Sequence, residues 1–296
     1  MRYTLLTFNN YVGIVTDAII LKNLLIDADI VFLDNVNPTH KSKVGIWIQN
    51  YYGHLLENFK INVFYINEEW FDYPIEDLKK FNYVICKSKY TYDIIKNQCN
   101  AIHLPFLSKN FYNPNISRSN SFLHFAGRSI QKNTELILNQ QIPITLIDPY
   151  YRYKPNLNFN HINTYQTTEE INNLLNSHNI HICCSLYESW GHYLFEGLST
   201  GAEIICSDIP VFREQLDPQL VHFITTNEKI DHSYLYCNDN KNNLYPLRRS
   251  FFIDESMFKD IIYNFKPIGK NEERRKLFKN IIDKNSGKLK EFFRNL

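Results

Sequence analysis

Short apolar runs alternate along the chain with stretches of helical spacing. Residues 2–8, 29–33, 44–48, 63–66, 83–86 and 101–104 read as strands, with residues 14–25, 55–59 and 90–95 as helices between them. A polar stretch, residues 108–120, then interrupts the alternation with a proline, several Asn and Ser and no apolar periodicity. That is the composition of a linker. The alternation restarts with strands at 122–126, 144–147, 161–164, 180–185, 203–206 and 221–224, and helices at 133–138, 169–175 and 192–199. Uninterrupted apolar strands between helices mark a parallel sheet covered on both faces. After Ile253 the chain turns helical, with one apolar stripe at Leu277, Phe278, Ile281 and Ile282 and another at Leu289, Phe292, Phe293 and Leu296. Basic residues cover the other faces, as in an amphipathic helix that closes the body by packing on it.

The pattern predicts an α/β protein of two doubly wound, Rossmann-like domains facing one cleft. The expected domains are residues 1–115 and 116–284, with a helix at about 285–296 packing back on the first. In open parallel sheets ligands lie beyond the carboxyl ends of the strands, so the informative residues should follow strands. Lys plus Arg number 32 and Asp plus Glu 31, a formal charge of +1, which argues against a dedicated nucleic-acid binder. The six cysteines, at 86, 99, 183, 184, 206 and 237, include no C-x-x-C pair and no Cys/His cluster, so no zinc site is expected. No apolar stretch approaches the roughly 18 residues of a membrane span. The first residues lack the apolar core of a signal peptide. A reduced, cytoplasmic protein is expected.

Two segments that follow strands carry the candidate chemistry. One runs Ser185-Leu-Tyr-Glu188-Ser189-Trp190-Gly191-His192-Tyr-Leu-Phe-Glu196 and closes at Gly201. Ser189 reads as a helix N-cap and Gly201 as the stop. Glu188 would precede the helix and Glu196 lie two turns inside it, about 12 Å further along the axis. Between them the free amides of the helix start offer an anion site. A carboxylate, an anion site and a second carboxylate in a row suit a nucleotide sugar. Either glutamate alone is more often an ordinary capping or solvated residue; together, with the Gly191 turn, they point to function. The other segment, Phe122-Leu-His-Phe-Ala-Gly127-Arg128-Ser-Ile-Gln-Lys132, sets the first cations past a strand end over the same mouth. There Arg and Lys can hold phosphate oxygens.

Gly127-Arg128…Lys132, Glu188-Ser-Trp-Gly…Leu-Phe-Glu196 and Gly201-Ala-Glu-Ile-Ile-Cys-Ser-Asp208 resemble the paired donor-site motifs of retaining GT-B glycosyltransferases, in particular glycosyltransferase family four. The match in order and spacing, G-R…K then E-x7-E and the strand after it, covers residues 122–214, with Trp190 where the family usually has Phe. The first half is similar more loosely, through Asn62-Val-Phe-Tyr-Ile-Asn67-Glu-Glu-Trp-Phe, Tyr83-Val-Ile-Cys-Lys87-Ser88 and the loop at 9–17.

The resemblance implies a GT-B fold and a sugar moved from a UDP- or GDP-sugar to a glycan, lipid-linked or protein acceptor, with retention of anomeric configuration. It implies Arg128 and Lys132 on the leaving diphosphate, Glu188 as the third catalytic residue on donor-sugar hydroxyls, and Glu196 on the ribose. Gly127, Ser189, Trp190, Gly191 and His192 would line the donor. No metal or other cofactor is implied, because the cations and the helix end replace it. From the first domain, Gly13 and His54 are candidates to face the donor, and Glu68 and Glu69 to face the acceptor. The alternative is a non-catalytic nucleotide-sugar-binding or partner subunit on the same fold; the complete Arg128, Lys132, Glu188 and Glu196 set favours catalysis.

Two further features compete less well. Asp27-Ala-Asp29 is a D-x-D element of the kind that holds a divalent ion in other transferases, but it precedes a strand instead of ending one, at the wrong edge. Lys79, Lys80, Lys87, Lys89 and Lys96 make the first-domain helices basic. Such a face suits peripheral contact with a membrane carrying a lipid-linked acceptor; a solvated charged face is the commoner case.

Overall fold

The structure, a computed structural model, describes residues 2–9, 13–35, 41–127, 129–154, 159–229, 247 and 249–296. It divides into two compact units. The described residues of Met1–Leu107 and Ile282–Leu296, with Leu247, form the first, and those of Ser108–Asp231 and Arg249–Ile281 the second.

In the first unit β1 (Tyr3–Thr7) leads through α1 (Gly13–Leu24) to β2 (Ala28–Phe32), β3 (Ser42–Ile48), β4 (Phe59–Ile66) and β5 (Tyr83–Cys86), then α2 (Lys89–Ile95) and β6 (Ala101–His103). Among the described residues these strands form one six-stranded parallel sheet in the order β2-β1-β3-β4-β5-β6. The chain steps to one side of β1 and resumes on the other at β3, so the topological switch point lies between those two strands. Trp47, Phe64, Phe71 and Phe81 fill one face of the sheet, with Leu247 among them. Phe293 covers the other, meeting the rings of Tyr3 and Tyr65 and accepting the Tyr3 hydroxyl at its carbonyl, 2.7 Å away.

Two local expectations fail here. The stretch read as a helix at 55–59 is the 3-10 turn Gly53–Asn58, and Phe59 opens β4. Its ring meets Trp47 edge-on at 5.6 Å, so its burial belongs to the sheet. Nor does Lys87 join a basic surface. It follows β5, is buried, and donates to Asp17 Oδ2 at 2.6 Å and Asn67 Oδ1 at 2.7 Å. Of the exposed lysines, Lys89 and Lys96 pair with Asp93 and Lys80 with Asp77.

The second unit repeats the plan with β7 (Ser119–Phe125), α3 (Thr134–Leu138), β8 (Ile144–Ile147), β9 (Phe159–Ile162), α4 (Thr168–Ser177), β10 (His178–Cys183), α5 (His192–Thr200), β11 (Glu203–Ser207), α6 (Pro210–Arg213) and β12 (His222–Ile224). Among the described residues its six strands are all parallel, in the order β12-β11-β10-β7-β8-β9. The switch point lies between β7 and β10. An antiparallel pair that the pattern did not predict, β13 (Thr226–Lys229) with β14 (Ser250–Ile253), precedes α7 (Glu255–Tyr263) and α8 (Asn271–Arg294).

Two imidazoles are sealed in this sheet. His124 donates from Nδ1 to the Ile182 carbonyl and accepts at Nε2 from Thr134, each at 2.9 Å. Burial pulls its pKa down to about 4 and that of His181 to about 3. Unfolded, both would titrate near 6.5. As pH falls, the unfolded chain therefore binds these protons first. Stability held above about pH 6.5 is expected to drain away from there down through about pH 3. Thermal midpoints measured across that range check this; a flat profile contradicts it.

Candidate active site

Both candidate segments leave the second sheet at its switch point, from the neighbouring strands β7 and β10. After β7, Gly127 turns the chain at φ 61°, a left-handed value that suits glycine. Ser129 then accepts the Gln131 amide at 3.0 Å and starts the short 3-10 turn Ile130–Lys132. After β10, the Leu186 amide donates to the Gln131 carbonyl at 2.7 Å and ties the two loops together. The Lys132 ammonium is thereby delivered to Glu188 Oε1 as an ion pair, and Ser185 Oγ donates to the same oxygen at 2.8 Å. The Glu188 side chain is 7% exposed and that of Lys132 22%. Lys132 thus does not project free over the mouth of the sheet, as its position after a strand suggested. A nearly buried carboxylate takes the nearest cation.

Ser189 is not the cap of the following helix. α5 begins at His192, with Gly191 in the cap position at φ 93°. The cause is Trp190. Its buried ring stacks on Phe195 at 4.2 Å, and its Nε1 donates to Ser108 Oγ at 2.9 Å. Seating the indole there holds residues 188–190 out of helical register. A side chain on Gly191 would meet the Phe212 ring at 2.6 Å. Glu196 accordingly stands one turn into α5, not two, and the helical rise does not measure its distance from Glu188. Glu196 is half-buried. Burial raises its carboxyl above the ordinary value, against the opposing charges of His192, Lys109 and Lys132. His192 opens α5 with Nδ1 3.0 Å from Ser108 Oγ, so one hydroxyl orders both the indole and the imidazole.

The structure therefore brings Lys132 and Glu188 into contact and sets Gly127 and Gly191 against them. A Cβ on Gly127 would lie 3.3 Å from Lys132 Cγ, and one on Gly191 3.6 Å from Glu188 Cγ. Ser189 is buried next to Trp190. Arg128 lies outside the described residues. Ser108 and Ser185 were missed by sequence reasoning. Ser185 stands at the start of the Glu188 segment, but Ser108 is 82 positions from Trp190 and carries no local signal.

In the first unit Gly13 opens α1 after β1, and His54 lies exposed in the turn after β3, stacked on Tyr52 at 5.7 Å. Glu68 and Glu69 are buried in the 3-10 turn Glu68–Trp70 after β4. All four thus follow carboxyl ends of strands. Asp29 is paired with Lys22 at 3.3 Å, and Asp27 stands in the turn before β2 at φ 66°. Among the described residues no group of three or more His, Cys, Asp or Glu is arranged to hold a metal ion. Among the same residues no helix is long and apolar enough to cross a membrane.

No protein-family model matches the chain, and no curated protein matches it by sequence. Solved structures match its fold. Sucrose-phosphate synthase from Thermosynechococcus elongatus is similar with a TM-score of 0.63 at 10% identity, over 100% of this chain and 99% of that one. HepE from Anabaena, solved in complex with UDP, gives 0.62 at 10% identity over 100% of both chains. The pneumococcal O-GlcNAc transferase GtfA, solved with UDP and GlcNAc, gives 0.59 at 10% identity over 85% of this chain. The chain spans about half the length of GtfA, 56% of it, and nearly all of the other two. The fold is GT-B: two Rossmann-like α/β units, each with a six-stranded parallel sheet among the described residues.

Proposed function

We propose that the chain is a glycosyltransferase that moves a sugar from a nucleoside-diphosphate sugar to a glycan, lipid-linked or protein acceptor, with retention of anomeric configuration. One observation carries the reading. At the switch point of the second sheet, Lys132 and Glu188 meet from neighbouring strand ends beside the start of α5, with Glu196 one turn on. The ligands with which two structural neighbours were solved, UDP for HepE and UDP with GlcNAc for GtfA, support a nucleoside diphosphate as the ligand class.

In this reading the diphosphate draws Lys132 away from Glu188. The ammonium and Arg128 neutralise the leaving phosphates, and the first amides of α5 take phosphate oxygens. Glu188, released, accepts hydrogen bonds from sugar hydroxyls, and Glu196 accepts them from the ribose. The acceptor oxygen attacks on the face from which the diphosphate departs, and the departing phosphate takes the proton. No side chain is assigned as a base.

Two cations and a helix start supply the charge compensation, so binding of UDP or GDP is expected to need no divalent ion. Calorimetric titration in excess chelator should give the affinity found with magnesium; a strict metal requirement would sink this part of the reading. The activity itself is tested with a panel of UDP- and GDP-sugars, following release of nucleoside diphosphate and the anomer formed. Binding with no turnover on any donor would instead favour a nucleotide-sugar-binding partner subunit.

A further inference from the structure

We infer that Arg152 is a positioning residue for the diphosphate end of the donor site, an inference that rests on the donor reading above. Arg152 lies in the connection after β8, apart from both motifs. Among the described residues its Nη2 donates to three carbonyls of the turn after β7: Ala126 and Gly127 at 3.1 Å each, and Ser129 at 3.4 Å. That turn leads directly into the segment that delivers Lys132. The carbonyl of Ser129 also takes the Lys132 amide at 3.4 Å, and Ser129 Oγ caps the same short turn. One guanidinium therefore holds the backbone from which the Glu188-bound lysine projects.

The polarity of this grip matters for an anion. In a planar trans peptide the carbonyl and the next N–H point in opposite directions. With the carbonyls of Ala126 and Ser129 drawn to Arg152, the amides of Gly127 and Ile130 face the other way. Amides turned away from the guanidinium present the positive ends of their peptide dipoles on that side, which favours negative charge there. The same grip removes three carbonyl dipoles that would repel a phosphate. The arrangement is not costless, because Arg152 Nε is buried without a partner among the described residues. A buried orphan donor calls for an explanation, and the three-carbonyl grip supplies one. The Nη2 donors of Arg152 are taken up by the turn, so it acts on the donor through the backbone and through Lys132, not by contact.

The test titrates wild type, Arg152→Met, Arg152→Lys and Lys132→Ala with UDP and with GDP at low and at high salt, and records unfolding midpoints. Arg152→Met should weaken the nucleotide that wild type binds by roughly tenfold, by analogy with the loss of a supporting partner behind a metal ligand. Arg152→Lys keeps the cation, but its shorter, unbranched side chain sets the ammonium short of the position Nη2 occupies among the three carbonyls, so it should fall between wild type and Arg152→Met. Both should keep the salt dependence of wild type, whereas Lys132→Ala should weaken binding and flatten that dependence, since it removes a charge that faces the ligand. Either Arg152 variant, if folded, binding like wild type overturns the inference. So does a flattened salt dependence in either one, which would make Arg152 a direct phosphate ligand. Wild type binding neither nucleotide overturns the donor reading itself, and this inference with it.

Discussion

Replacing Lys132 with alanine is expected to slow sugar transfer about a hundredfold, since removing one preorganised charge-stabilising donor typically costs ~3 kcal/mol. Stability should fall as well, because Glu188, with its side chain 7% exposed, would keep only the Ser185 hydroxyl. A buried polar group that loses a partner costs about 1–3 kcal/mol, and a charged one more. Glu188→Gln should act in the opposite sense on bare nucleotide. The neutral amide no longer competes for the ammonium, so affinity for UDP or GDP alone is expected to rise severalfold. Transfer from the nucleotide sugar should fall, since the amide is a poorer acceptor for sugar hydroxyls. Calorimetry with the bare nucleotide, beside turnover with the sugar nucleotide, separates the two effects. Loss of bare-nucleotide binding in Glu188→Gln would mean that the donor lies the other way round, with Glu188 at the ribose.

The two-sheet plan was legible in the sequence because buried parallel strands read as short, mainly apolar runs. YTLLT, ITLI and EIICS each sit where the pattern put a strand. Lys132 and Glu188 were legible as candidates because each follows a strand end in a stretch rich in turn signals. What failed did so for identifiable reasons. Serine is a preferred cap, but at Ser189 the burial of the neighbouring Trp190 overrides that local preference. Thr226–Lys229 is polar, and its pairing partner β14 begins at Ser250, too distant for a hairpin signal. Lys87 looks like any surface lysine until Asp17, 70 positions earlier, is seen against it. A charge carries no mark of its own burial; only the fold supplies the partner.

The same blindness hid Arg274, and here the energetic consequence is largest. α8 was read as an amphipathic closing helix, yet its Arg274 is wholly buried. The guanidinium donates to Glu203 at 2.8 Å, to Gly201 and Leu220 carbonyls at 3.2 Å each, and to the Gly269 carbonyl. Glu203 in turn accepts from the Gly269 amide at 2.9 Å and from His222 Nε2 at 3.2 Å. Burial alone would raise the Glu203 carboxyl. The His222 hydrogen bond, the Arg274 charge and the amides of Gly269 and Ile268 outweigh it and hold the group below its ordinary value of 4.5. Arg274→Met is expected to destabilise the second unit by about 3–5 kcal/mol, because breaking a buried pair leaves the carboxylate without its guanidinium partner. Arg274→Met combined with Glu203→Leu should recover most of that loss, since replacing both partners by apolar groups is often neutral. The sign with pH follows from the depressed carboxyl. Its contribution is present above about pH 4.5 and is lost as pH falls through the lower folded value. Wild type should therefore approach the double variant in acid, with the gap read from urea midpoints at neutral and at acid pH. A single variant as stable as wild type at neutral pH would show that Glu203 finds water or another cation when Arg274 is gone, and that α8 is held by its apolar stripe alone.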